Sequence, residues 1–317
     1  MSSQGPTPQF AHGTCTATEE FAISQRSAAV ARFYDYLELT KPRIAILALV
    51  TVTVGYLLSS AGEWQLEPLL HALAGISLVA AGSSALNQFI ERHIDARMHR
   101  TAQRPLPSGR LQPAEALWFG IGTGVVGTVY LAVAVNVLTA VLAASTLALY
   151  VLAYTPLKQL TSLSTAIGAI PGALPPVLGW TAAGGSLDAG AFSLFAILFL
   201  WQFPHFLAIC WLYREEYANA GLRMLPAVNP RPRVTGYLAV VYALALIPAS
   251  FLPTRVVLAG DAYLLIAAVL GLAYLASAIR FCRNETRSSA RGLLWTSLVY
   301  LPVLLMSLTW NHFQLLQ

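Results

Sequence analysis

The sequence predicts an all-α polytopic membrane protein with nine transmembrane helices, and three observations carry that expectation. Apolar residues make up 56% of the 317-residue chain and charged residues only 10%, where soluble domains carry about 25% charged. The apolar residues gather into runs of membrane-spanning length, separated by short polar connections. With nine such spans, every Lys and Arg except Arg255 falls on the side of the N-terminus. An asymmetry of that size assigns this side to the cytoplasm and the C-terminus to the opposite side. The formal net charge of +5 is then positive-inside bias and not a nucleic-acid footprint.

Residues 1 to about 35 are rich in Ser, Thr, Ala and Gln and hold no apolar segment long enough for a secretory signal. They are expected to form a mobile cytoplasmic tail ahead of a membrane domain, residues 36–317. The first span, about 44–60, is entered through Lys41-Pro42, since proline is tolerated in a helix's first turn. The second, about 69–91, leads into a basic loop. Spans three and four, about 114–135 and 138–154, are joined by almost nothing, and the loop after them holds Tyr154, Lys158 and Thr161. The fifth span, about 165–183, contains IPGALPPVLGW, which predicts a broken or kinked helix. The remaining spans lie at about 191–212, 234–251, 262–279 and 293–310. Trp201, Trp211, Trp295 and Trp310 fall near span ends and read as interface anchors. Cys15, Cys210 and Cys282 are far apart and suggest neither a disulfide framework nor a metal site.

The chemistry gathers in two places. Asn87, Glu91 and Asp95 are spaced four apart, so on a helix they form one stripe of oxygen ligands. Arg92, Arg97, Arg100, Arg104 and Arg110 follow almost at once. Oxygen ligands beside guanidiniums suit a magnesium-bound diphosphate; the plainer alternative is a solvated helix end of mixed charge. The second cluster ends the sixth span, WQFPHFLAICWLYREEYANAGLRMLP. His205 and Glu216 lie eleven positions apart, three helical turns, and are expected to share a face. An ionisable residue inside an apolar span is a functional candidate, against the alternative of a histidine hydrogen-bonded to a neighbouring helix. The two clusters recur four spans apart, a weak repeat that would bring both to one cavity mouth.

NQFIERHID with the following RTAQRPLPSGR resembles the first motif of the UbiA superfamily of intramembrane prenyltransferases. YTPLKQLTSLSTAIGAIPGALPPVLGW and the WQFPHF segment are similar to its heme-prenylating branch, and the resemblance runs from about residue 39 to the last span. It implies nine helices around a central cavity, with a diphosphate site under the cytoplasmic loops. The implied reaction moves a farnesyl group from farnesyl diphosphate to the vinyl group of heme B, giving heme O for terminal oxidases, with Mg2+ as cofactor. Carried over residue by residue, Asn87, Glu91, Asp95 and Glu216 hold metal and serve catalysis. Arg92, Arg100, Arg104 and Lys158 bind diphosphate, and His205 and Tyr154 belong to the acceptor side. The implied partners are the two substrates, the lipid bilayer, and a heme A synthase or oxidase assembly protein; the implied location is a bacterial inner membrane. Glu91 and Glu216 depart from the aspartates common in the superfamily. Leu212 replaces a further aspartate, so a second magnesium would be held by fewer oxygens. A quinone-type acceptor would share the diphosphate machinery. A transporter would place its ionisable groups nearer mid-membrane.

Overall fold

A computed structural model describes residues 17–225 and 233–317, and among these residues the regular structure is helical. The first helix, α1 (Ala17–Leu39), runs through the boundary expected at residue 35; residues 1–16 lie outside the described residues. Its end is fastened by side chains the composition of the tail did not reveal. Arg110 pairs with Asp35 and donates to Glu38 at 2.7 Å, Arg32 pairs with Glu115, and Leu39 is buried against Ala85, Leu106 and Leu111.

α2 (Pro42–Ser59) begins behind Lys41, whose φ of 52° turns the chain sharply into the helix. α3 (Leu66–Asp95) has 30 residues, about 45 Å by helical rise, which exceeds the roughly 30 Å hydrocarbon layer. The excess carries the Asn87 stripe beyond the apolar slab while keeping it helical. α4 (Pro113–Ala134) is opened by a capping box between Gln112 and Glu115. α5 (Val137–Ala148) continues through a π-helical turn, Leu149–Tyr154, into α6 (Thr155–Leu160). Tyr154 and Lys158 were expected in a loop and are instead helical. The wide turn re-registers the hydrogen-bond ladder ahead of Pro156, which has no N–H to give it, and the helix resumes.

The fifth span is broken, as its prolines and glycines predict. α7 (Ser164–Ala173) and α8 (Pro175–Ala182) meet at Leu174, with Pro171, Pro175 and Pro176 around the break. Among the described residues eight helices are long and apolar enough to cross a membrane; the α7–α8 pair, each half too short to qualify, accounts for the ninth expected span. There follow α9 (Ala189–Leu212), α10 (Arg214–Asn219), α11 (Val234–Ser250), α12 (Leu252–Arg255), α13 (Asp261–Arg283) and α14 (Arg287–Leu315).

In lipid, apolar burial drives helix association weakly, so close backbone approach and packing must hold the helices together. α2 and α8 are tightest. A Cβ at Gly55 would lie 1.9 Å from the Pro176 carbonyl oxygen, and one at Gly179 would lie 1.8 Å from that of Val52. α3 and α4 touch through Gly82, Gly120 and Gly124 in the same way. The second half packs α9, α11, α13 and α14 around Leu194, Leu246, Tyr263, Tyr274, Phe281 and Tyr300. α14 returns to α2 and closes the circuit of helices.

Candidate active site

The α3 stripe is buried and each of its members already has a basic or polar partner. Asn87 accepts from Lys41 Nζ at 2.9 Å through Oδ1 and donates to Thr155 Oγ1 at 3.1 Å through Nδ2. Glu91 Oε1 accepts from Lys158 Nζ at 2.8 Å. Asp95 Oδ2 accepts from Arg104 Nη1 at 2.7 Å, and Thr101 Oγ1 donates to the Asp95 carbonyl at 2.8 Å. A carboxylate buried out of water needs such a partner. Lys158 also lies over the Tyr154 ring at 4.4 Å, and the Tyr150 ring is tilted 44° to that of Tyr154 with centroids 5.2 Å apart. Tyr154 therefore stands beside Lys158, at the ion-pair end.

The sequence marks Lys41 only as the entry to the first span, whereas its side chain joins the stripe through Asn87. It is partly buried; desolvation, reinforced by Arg104 and Lys158 nearby, lowers its ammonium to about 7. The available signal was a lone lysine directly before an apolar span, placed by the turn at φ 52° where it can reach α3.

The second cluster comes to the same end of the bundle. Arg100 reaches across from the loop after α3, donating to Tyr217 Oη at 3.5 Å and lying over the Tyr213 ring at 5.2 Å. Ile94 and Met98 bury against Cys210, Tyr217 and Leu222, and the backbone N–H of Arg223 donates to the Lys158 carbonyl at 2.8 Å. Glu216 rides on α10, and its Oε2 is buried without a hydrogen-bond partner. The common face expected for His205 and Glu216 does not form, because α9 stops at Leu212 and Tyr213 breaks the helix before α10 begins. His205 instead pairs through Nδ1 with Ser297 Oγ of α14 at 2.8 Å. Arg92 turns away from the stripe: its Nη1 donates to the Phe89 carbonyl at 2.7 Å and its guanidinium lies 4.7 Å from the Phe89 ring.

The described residues thus present three buried oxygen-bearing side chains on one helix with three basic side chains in contact with them, and Glu216 on α10 with one buried, unpartnered carboxylate oxygen. Residues 48–312 match the model of the UbiA prenyltransferase family. The chain belongs to the UbiA prenyltransferase family. The protoheme IX farnesyltransferase of Solibacter usitatus (strain Ellin6076) is 49% identical over 279 residues, 85% of this chain and 96% of that one. Those of Myxococcus xanthus (strain DK1622) and Aquifex aeolicus (strain VF5) are 46% and 40% identical, covering 86% and 85% of this chain and 93% and 92% of theirs. Solved UbiA-type structures share the fold. A digeranylgeranylglyceryl phosphate synthase aligns with a TM-score of 0.76 at 19% identity, covering 90% of this chain and 99% of that one. A UbiA homolog from Archaeoglobus fulgidus, bound to DMAPP and Mg2+, aligns at 0.61 and 17% identity, covering 89% and 99%.

Membership makes this chain an integral membrane prenyltransferase and gives the polar end of the UbiA fold a chemical meaning. The donor atoms of the α3 stripe and Glu216 are oxygens, the set that magnesium takes. Among the described residues no three His, Cys, Asp or Glu side chains cluster closely enough to hold a metal, and Lys158 and Arg104 pair with the α3 carboxylates. The unpartnered, buried Oε2 of Glu216 is the atom that fits a cation best, because a lone carboxylate oxygen out of water otherwise carries a large desolvation cost.

Proposed function

We propose that this chain transfers a farnesyl group from farnesyl diphosphate to a vinyl group of protoheme IX, giving heme O, at the end of the bundle where Lys41, Lys158 and Arg104 meet the Asn87–Glu91–Asp95 stripe. The observation that carries the reading is that arrangement, three cations already gathered around three buried oxygen ligands. The relatives that bear the farnesyltransferase name give the acceptor. Asn87, Glu91, Asp95 and Glu216 would hold Mg2+, which supplies positive charge to the diphosphate when bound. Lys41, Lys158 and Arg104 then have a second partner of the right sign, the diphosphate oxygens, and stabilise the charge that grows there as the C1–O bond breaks. The vinyl π electrons form the new C–C bond to C1 of the farnesyl group. Water adds to the cation left beside the porphyrin and gives up a proton, leaving a hydroxyl. The aromatic wall of Tyr150 and Tyr154 keeps other water from the allylic cation.

The same reading places the N-terminus and the basic helix ends in the cytoplasm and the chain in a bacterial inner membrane, supported by the distribution of Lys and Arg. It assigns the N-terminal segment up to about residue 35 to the cytoplasm and residues 36–317 to the prenyltransferase domain. Incubation of the purified protein with heme B, farnesyl diphosphate and Mg2+, followed by mass spectrometry, tests the reaction. A farnesylated, hydrated heme is expected. Product from a hydroxybenzoate but none from heme would move the acceptor to the quinone class.

A further inference from the structure

His205 lies outside the ion-pair cluster, and its surroundings fix which ring nitrogen carries the proton. Ser297 Oγ donates its single proton to the Leu294 carbonyl at 2.6 Å. Toward His205 it can therefore only accept, so the 2.8 Å contact is an Nδ1–H donation and Nε2 carries a lone pair. The ring is held on its face as well. Trp201 stacks on it with centroids 5.0 Å apart and planes 24° apart, and the Trp201 indole N–H donates to the Ser297 carbonyl at 2.9 Å. Tyr274 Oη in turn donates to the Trp201 carbonyl at 3.0 Å. Ser297 is fully buried, whereas His205 is only partly so. Nδ1 thus faces the α9–α14 contact, and Nε2 is left for another partner.

The position of that nitrogen matters. Trp201 faces α14 and Gln202 faces α7, donating to the Ala169 carbonyl at 2.8 Å. In helical projection His205 lies between them, about 40° from Trp201 and about 60° from Gln202, between the sides of α9 that face α14 and α7. It is seven residues before the end of α9, so it lies about 10 Å below the polar end by helical rise. A neutral imidazole whose other N–H is tied to a fixed acceptor is the usual form of a histidine that binds a metal.

Resting on the heme reading above, we propose that His205 Nε2 is the protein's axial ligand to the iron of the acceptor porphyrin, and that Ser297 is a positioning residue that fixes its tautomer and ring plane. The vinyl group would then reach the farnesyl C1 because the iron is anchored deep in the apolar slab while the diphosphate stays at the polar end.

The test uses the full-length protein in nanodiscs, titrated with heme B and with metal-free protoporphyrin IX, following absorbance and fluorescence. The wild type should show the Soret shift of imidazole-bound heme and bind the iron porphyrin at least about tenfold more tightly than the metal-free ring. His205→Ala should lose both the shift and the preference. Ser297→Ala should keep an imidazole-type spectrum but weaken iron-porphyrin binding about tenfold, and Ser297→Thr, which keeps the hydroxyl, should restore it. Calorimetric binding of farnesyl diphosphate should be unchanged in all three variants, which shows that they fold. An unchanged heme spectrum and preference in His205→Ala overturns the ligand assignment. Unchanged heme affinity in Ser297→Ala overturns the positioning role, as does an equal loss of both substrates. A wild type that farnesylates heme without preferring iron also overturns the proposal and leaves the function standing. If the wild type neither binds nor farnesylates heme, the functional reading falls and takes this proposal with it.

Discussion

Asp95 and Arg92 are three residues apart in the same helix end, yet their chemistry differs because of where the helix points them. Asp95 is 1% exposed and bound to Arg104, so Asp95→Asn keeps its shape but removes the charge from the stripe. kcat/KM should fall at least about tenfold, roughly 1.4 kcal/mol of transition-state stabilisation, in a steady-state assay with saturating magnesium. Arg92 is spent on its own helix, held by the Phe89 carbonyl and ring. Arg92→Ala should therefore leave the KM for farnesyl diphosphate within about twofold, while Arg104→Ala raises it at least about tenfold. Equal effects of the two arginines would remove the distinction drawn from the geometry. Lys41→Met should behave like Arg104→Ala, because Lys41 touches Asn87 and lies near Arg104 and Lys158. A normal KM in that variant would return Lys41 to the role of a span entry.

At the scale of elements, the α2–α8 contact is the joint that fixes the broken fifth span against the first. A methyl group at Gly55 or Gly179 would have to displace backbone, since each would meet a carbonyl oxygen below 2 Å. Gly55→Ala and Gly179→Ala should each destabilise by about 3 kcal/mol or more, at or beyond the upper end for overpacking, as read by thermal unfolding in detergent. Gly122 has nothing within 4 Å of the position of its missing Cβ. Gly122→Ala should accordingly be neutral or stabilise by up to about 1 kcal/mol, by the helix preference of alanine alone. The π-helical turn belongs to the same scale. It keeps Lys158 on a helix, over Tyr154 and against Glu91, although a proline lies two residues before it.

For the whole molecule, the basic helix ends and both clusters lie together, and the far end is tied by other contacts. Tyr56 donates to the Gln65 carbonyl, Asn136 to that of Thr181, and His312 meets the Leu258 carbonyl. Leu316 lies against Gly62, which the length of α2 separates from Lys41, so the C-terminal end of α14 is at the opposite end from Lys41. Reporter fusions after Arg110, Thr161 and Arg287 should report cytoplasm, and fusions at Gly62, Gly184 and Gln317 the other side. A cytoplasmic signal from Gln317 would overturn the nine-span topology. Among the described residues the fold is built from eight helices of membrane-spanning length, with the fifth expected span made of two pieces.

The sequence by itself determined the helical class, the spans and the stripe. Each of these depends on local facts: apolar run length, the position of basic residues, and the four-residue repeat that places Asn87, Glu91 and Asp95 on one face. It also foretold the break in the fifth span, because proline acts on its own turn. What only the tertiary structure decided are partnerships between distant segments. Arg92 and Arg104 look alike as letters, and only the path of the loop makes one a partner of Asp95. Lys41 is remote from the stripe in sequence and adjacent to it in space. His205 and Glu216 share a helical phase that a single break at Tyr213 removes, and Ser297, 92 positions away, decides which nitrogen of His205 remains free. Side-chain direction and the break at Tyr213 are settled by packing between elements, and no local pattern encodes them.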